Sequence, residues 1–427
     1  MRKIHEEAKE TFAHLAPKIP FVRGTRGIIS TANNDALAIQ TSALWMMRSS
    51  GSTLPVEVWF FDYASWEDDV CNDIYPSLGA KCMFMIDYIP PDLTEWSKML
   101  LGNKFVFKTL TILFSSFEQA LFLDCDAFPV MNPDSIFETE PFISSGLVLW
   151  PDYWASTASK EFYEIVGRPI PDLKEIAATE SGEMLINKAT HGAPILLANF
   201  YNTWGPDYWY RLWSQAAPGE GDKEGYLAAA QDYGMPFYQV YERPQRVGYK
   251  CEETKHAVGS AQSHPLDDWT YTKHNIVRHD GGFDLGESIH PRILFVHMNM
   301  PKPDPYMVLE WDIPEMNWED LLYCDKGKGK VHRMWGPKDL AIVKYGWDAE
   351  QAMWDGMRWE ACVHETGYKF WITGSIFRPE EQIRHDLCSA MTKLWEEMFP
   401  GEKWSSKIPQ PGHRHERPWG GWSLPLA

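Results

Sequence analysis

Asp124 and Asp126 end an apolar run, Leu121-Phe-Leu-Asp-Cys-Asp, and form the only Asp-x-Asp in the chain. In an extended segment residues i and i+2 face the same side, so both carboxylates can converge on one ion. Two carboxylates with diphosphate oxygens suit Mg²⁺ or Mn²⁺, which prefer hard oxygen ligands. The same pair would equally suit a capped strand end carrying solvated acids. His297 closes a second apolar run, RILFVH, and could supply a third ligand. A histidine tilts such a site toward Mn²⁺, with Mg²⁺ still open. Lys302, five residues on, and Lys108 could bring cationic charge to a diphosphate.

These residues need elements to hold them. Gly27–Ala32, Val56–Asp62, Lys81–Asp87 and Gln119–Asp126 read as strands. Helical stretches separate them, among them Ala36–Arg48 and Lys104–Ser116. Alternation at this spacing implies right-handed crossovers and a mainly parallel sheet, with ligands beyond the carboxyl ends of the strands. Thr31, Asp62, Asp124 and Asp126 fall at those ends. Ser144–Trp150 and Arg292–His297 read as further strands. Glu180-Ser-Gly-Glu183 reads as a capped turn opening an apolar helix, or as carboxylate and hydroxyl contacts to a polyhydroxyl ligand. Gly221-Asp-Lys-Glu224 is a charged turn before a helix. Beyond about Asp312 the chain is Trp-rich and helical in places, and from Lys407 it is rich in Pro and Gly.

The net charge of −19, with −16 of it on residues 1–310, argues against nucleic-acid polymers and anionic membranes as partners. A phosphorylated ligand would then need local cations or a metal. Twenty-one tryptophans in 427 residues suit either a thick core or a sugar-binding platform. Trp150, Trp154, Trp204 and Trp209 stand among the motif segments and could stack on sugar, whereas those beyond 310 fit helix packing. Seven cysteines without a CxxC pair signal neither a disulfide framework nor zinc, and most read as buried thiols. No apolar run approaches a membrane span or signal core, so the chain as written reads as soluble and unaddressed. Neither a Walker loop nor a GxGxxG occurs.

The segments RGIISTA, LPVEVWFFD, Lys108, SSFEQALFLDCDAFPV, SSGLVLWPDYW, ESGEMLINK, GDKEGYLAAA and FVHMNMPK, in this order from Arg26 to Lys302, resemble the fungal α-mannosyltransferases of glycosyltransferase family 71. The resemblance implies an α/β fold of GT-A type over about 21–310, preceded by an N-terminal helix and linker (1–20). A helical Trp-rich extension and irregular tail (311–427) would follow. It implies a nucleotide-sugar donor, GDP-mannose for most members, Mn²⁺, retention of anomeric configuration and a glycan acceptor. Asp124, Asp126 and His297 would bind the metal, and Thr31, Lys108, Asp124 and Glu183 the donor. Glu180, Ser181 and Lys302 would serve catalysis, while Asp222, Glu224 and Trp150 would border the acceptor. Many members carry Gln where this chain has Glu183. Familiar members are Golgi membrane proteins, so the implied location is the Golgi lumen, or the cytoplasm if the chain is complete as written. A UDP-sugar donor and a non-catalytic Trp-rich carbohydrate-binding protein are the competing readings. A metal phosphoesterase would need more converging ligands than the sequence offers.

Overall fold

The computed structural model describes residues 1–93, 103–173, 176–215, 220–251, 254–273, 290–299, 301–310, 331–363, 368 and 380–410. The helices and strands that matter for the site begin, in chain order, with α1 (Arg2–Leu15), β1 (Val22–Thr31), α2 (Leu37–Ser49), β2 (Val56–Phe60) and β3 (Ala80–Phe84). They continue with α3 (Lys104–Phe114), β4 (Phe117–Leu123), β5 (Ala127–Pro129), β6 (Leu147–Ala155), β7 (Ala177–Asn187) and α4 (Lys188–Thr203). Then come α5 (Gly225–Asp232), β8 (Tyr238–Gln239), β9 (Gln245–Cys251), β10 (Thr254–Ser263) and β11 (Ile293–Met298), followed by α6 (Ala349–Val363) and α7 (Glu380–Met398).

Seven strands form the central sheet in the order β3-β2-β1-β4-β7-β6-β8. β3, β2, β1 and β4 are parallel, and β7 then runs antiparallel to both β4 and β6. The expected α/β architecture is therefore the one observed. Every side chain of β2 is buried, as a parallel strand covered on both faces requires. Alternation distributes neighbours to opposite layers, so Ile28 joins one core cluster and Ile29 the other. A four-stranded antiparallel sheet, β5-β11-β10-β9, packs into the Ile28 layer.

α1 is not a loose leader. His5 is buried against α4, with Nε2 2.7 Å from the Tyr201 hydroxyl. The C-terminal helices share the main core. Trp359 on α6 meets Trp45 on α2 with ring centroids 5.5 Å apart, and Ser42 donates to Glu360 Oε2 at 3.0 Å. Gly356 permits that approach, because a Cβ there would lie 2.8 Å from the Trp45 ring. Residues 311–330 and 411–427, which include the expected boundary and most of the Pro/Gly-rich tail, lie outside the described residues.

The thiol expectation is corrected. Cys71 bonds to Cys82 and Cys362 to Cys388, and Cys125 is a free thiol. The second bond ties α6 to α7. Cys324 and the side chain of Cys251 lie outside what the structure describes. Among the described residues no helix is long and apolar enough to cross a membrane.

Candidate functional site

The Asp-x-Asp sits where the chain leaves one sheet and enters the other. β4 ends at Leu123, a turn takes Asp124 to Asp126, and β5 begins at Ala127. The turn is clamped from both sides: Asp124 N donates to Gly182 O on β7 at 2.8 Å, and Met298 N on β11 donates to Asp126 O at 2.9 Å. The carboxylates thus converge through a turn, not by the strand alternation expected from sequence.

Ligand atoms of Asp124, Asp126 and His297 lie within 4.8 Å of one another, a metal-competent cluster among the described residues. His297 Nε2 stands 3.2 Å from Asp126 Oδ1, and Lys302 Nζ pairs with Asp126 Oδ2. Burial alone would lower the His297 pKa, but Asp126 beside it raises it to about 10. Burial would likewise raise Asp126, yet His297 and Lys302 hold it below the usual carboxylate range. Two oxygen donors and one nitrogen donor fit a divalent ion of the Mn²⁺ or Mg²⁺ kind. Room for the imidazole comes from Gly182, where a Cβ would lie 2.8 Å from the ring.

Lys108 rises from α3 beneath the cluster. Its ammonium lies 3.1 Å from Asp124, 3.0 Å from Ser181 O and 3.5 Å from Asp222 Oδ2. Burial opposes its charge, but Asp124 and Asp222 outweigh that and raise its pKa above the ordinary lysine value. Ser181 donates its hydroxyl to Asp222 Oδ1 at 2.9 Å. Glu180 Oε1 accepts the backbone N–H groups of Ser181 and Gly182, both at 3.0 Å. Thr31 is half-buried at the end of β1, in register with Trp59.

Three expectations change here. The Glu180–Glu183 segment lies inside β7, with Glu183 opposite Leu123, and the helix starts only at Lys188. Glu183 is 0% exposed and has no surface with which to touch a donor. It sits behind His297, with Oε1 3.9 Å from Nδ1. Trp150 is likewise 0% exposed, packed edge-on against Phe295 and donating to Ser263 O, so it belongs to the core and not to an acceptor face. Trp209 is buried as well, whereas Trp154 and Trp204 are exposed.

Residues 25–178 and 172–267 match the mannosyltransferase family model Mannosyl_trans3. The chain belongs to the fungal mannosyltransferase family. It is 32% identical to the α-1,2-mannosyltransferase MNN2 of Saccharomyces cerevisiae over 72% of its length and 61% of the relative's. With MNN21 of Candida albicans it shares 31% identity over 91% of this chain and 64% of the relative. The chain thus spans somewhat under two thirds of the length of these two relatives. Among solved structures, the galactosyltransferase LgtC aligns with 50% of this chain and 73% of its own, at 10% identity and a TM-score of 0.33.

In this mannosyltransferase-family chain Glu224 also borders the site. It accepts from Thr179 N at 3.2 Å, and burial pushes its carboxyl up to about 7. A carboxyl raised in the folded state contributes stability that is full below its unfolded pKa and lost as pH rises through about 7. Glu224→Gln keeps the acceptor oxygen and removes the titration. The variant should match the parent near pH 4.5 in urea unfolding and exceed it by on the order of 1–3 kcal/mol near pH 8. Equal stability at both pH values would refute this account.

Sequence reasoning did not single out Tyr153, Asp152, Arg243 or Arg246 near the site. Asp152 pairs with Lys223 at 2.7 Å, and Tyr153 donates to Gln245 O at 3.2 Å. The WPDYW segment was the available signal, from which sequence reasoning drew Trp150 and Trp154 but not Asp152 or Tyr153.

Proposed function

We propose that the protein is a metal-dependent, retaining α-mannosyltransferase that moves mannose from GDP-mannose to a hydroxyl of a glycan. The observation that supports this most is the convergence of Asp124, Asp126 and His297, flanked by Lys302 and Lys108, beyond the parallel strands of a family member. A divalent ion held by those three side chains would supply Lewis-acid stabilisation of the departing diphosphate when bound. Lys302 adds fixed positive charge where the leaving group's negative charge develops, the term that usually dominates such catalysis. Lys108 and Asp222 act from below, fixing Asp124 and Ser181.

Retention by front-face attack, with the donor's own β-phosphate taking the acceptor proton, is favoured over a covalent intermediate. Glu180 is the acid to consider as nucleophile. Two backbone N–H groups already hold its Oε1, which fixes the carboxylate and dulls its nucleophilicity. Glu180 therefore orients the Ser181–Gly182 backbone under the sugar. The two disulfides are consistent with an oxidising compartment of the secretory route, such as the Golgi lumen.

The test is a donor panel read by nucleoside diphosphate release with and without Mn²⁺. GDP-mannose turnover that requires the metal is the expected result. Turnover of UDP-sugars alone would replace the donor, and no metal-dependent turnover of any donor, across mannose and oligomannoside acceptors, would sink the transferase reading.

A further inference from the structure

Trp154 is 62% exposed, an unusual place to leave an indole in a chain that buries so many others. The end of β6 that carries it is not loose. Lys223 Nζ holds Asp152 Oδ2 at 2.7 Å, and Arg243 Nη1 donates to Asp152 O at 3.1 Å and Trp154 O at 3.0 Å. Between them, the Tyr153 hydroxyl reaches Gln245 O at 3.2 Å. Four side chains thus fix the backbone from Asp152 to Trp154 while the indole itself stays in solvent. A large planar group left bare on a pinned backbone has the backbone share of its ordering cost met before any ligand arrives.

The position of this strand end ties it to the metal cluster. Gly259 O lies 3.5 Å from the Tyr153 hydroxyl, and a Cβ on Gly259 would stand 2.3 Å from His297 O. In the smaller sheet His297 pairs with Ser260, and Ser260 with Arg246. Directly opposed residues share a face, so Arg246 lies on the face that carries His297, two strands away and roughly 10 Å along it. Glu180 is near enough to act on the Tyr153 phenol, which burial pushes up against the pull of Arg246. The rim therefore starts at the catalytic cluster and runs outward through Tyr153 to Trp154, with Arg246 beside it.

We propose that Trp154, backed by Tyr153 and Arg246, is an acceptor subsite on which a neutral hexopyranose of an oligosaccharide stacks. A pyranose offers an apolar C–H face to the indole and hydroxyls at its edge to the guanidinium of Arg246, while a nucleotide's phosphates are the business of the metal cluster. The site deepens the transferase reading and rests on it for the word acceptor, although the binding itself does not.

Two titrations of the 427-residue chain separate the two ideas, one with an α-linked mannotetraose and one with GDP plus Mn²⁺. Trp154→Ala should weaken tetraose binding about tenfold, and raise the acceptor KM similarly with kcat little changed, while GDP–Mn²⁺ binding and thermal unfolding stay at parent values. Trp154→Phe, which keeps an aromatic face, should restore most of the affinity. Parent-like tetraose affinity in Trp154→Ala, or no tetraose binding by the parent, overturns the subsite. Tetraose binding that depends on Trp154 in a chain that does not bind GDP–Mn²⁺ would instead overturn the transferase reading and leave the subsite standing.

Discussion

Asp126→Asn should abolish metal-dependent turnover, lowering nucleoside diphosphate release by about 10³-fold, while the chain still folds. The substitution keeps the volume of the side chain and removes its charge. Both Asp126 oxygens are committed, one to His297 Nε2 and the other to Lys302 Nζ. An amide can offer an oxygen to one of these cations, but its NH₂ must then face the other. Mn²⁺ affinity should therefore fall by about two orders of magnitude even where the fold persists. Removing one partner of a buried ion pair typically costs about 3–5 kcal/mol, so Mn²⁺ titration belongs well below the melting temperature of the variant. Calorimetric Mn²⁺ binding distinguishes lost ligation from lost folding. Turnover above about a tenth of the parent would mean that Asp126 neutralises Lys302 and His297 without ligating anything.

What the sequence made legible here, and what it hid, follows the range of the interactions. The parallel strands announced themselves because the apolar half of β4 is a continuous hydrophobic run and β2 is apolar but for Glu57. The Asp-x-Asp was visible as the polar end of one run, yet its geometry was not. The turn exists because Asp124 bonds to β7 and Asp126 to β11, partners some 58 and 172 positions away that no local period encodes. Glu180 to Glu183 looked like a helix cap because two acids around Ser-Gly suggest solvent. Pairing against β4 instead encloses Glu183 completely, a case of tertiary context overriding local preference. Trp150 and Trp154 are equivalent in sequence terms. Phe295 and Ser263 cover the first, whereas the second stands near the end of β6 with its indole exposed. The β9–β10 hairpin escaped notice because Gln245–Cys251 and Thr254–Ser263 are mixed polar and small, without a clean alternation. The disulfides likewise join cysteines 11 and 26 positions apart, spacings that carry no motif. Family-level blocks survive all of this, because their order along the chain requires no knowledge of which residues meet.

Lys108→Met carries the second large effect, and its sign with pH identifies the cause. The Lys108 ammonium is enclosed between Asp124, Asp222 and the Ser181 carbonyl. Met fills nearly the same space and supplies no charge, so two carboxylates are left facing one another in a buried setting. Breaking such a set by deleting its cation should cost about 3–5 kcal/mol in urea unfolding at neutral pH. Asp222 already has its pKa raised by burial, with Lys108 pulling the other way. Without Lys108 that carboxyl rises further, and a carboxyl raised in the folded state loses its stabilising contribution as pH climbs through its folded pKa. The deficit of Lys108→Met should therefore be largest at about pH 8 and shrink toward about pH 5, where Asp222 can take a proton and donate to Asp124. Lys108→Arg returns the charge but not the compact three-way fit, so it should recover part of the stability and remove the pH slope. A loss below about 1 kcal/mol that is flat with pH would show that the acids already share a proton in the parent. Lys108 would then be a packed helix residue, and the orientation of Asp124 would have to come from the Gly182 hydrogen bond alone.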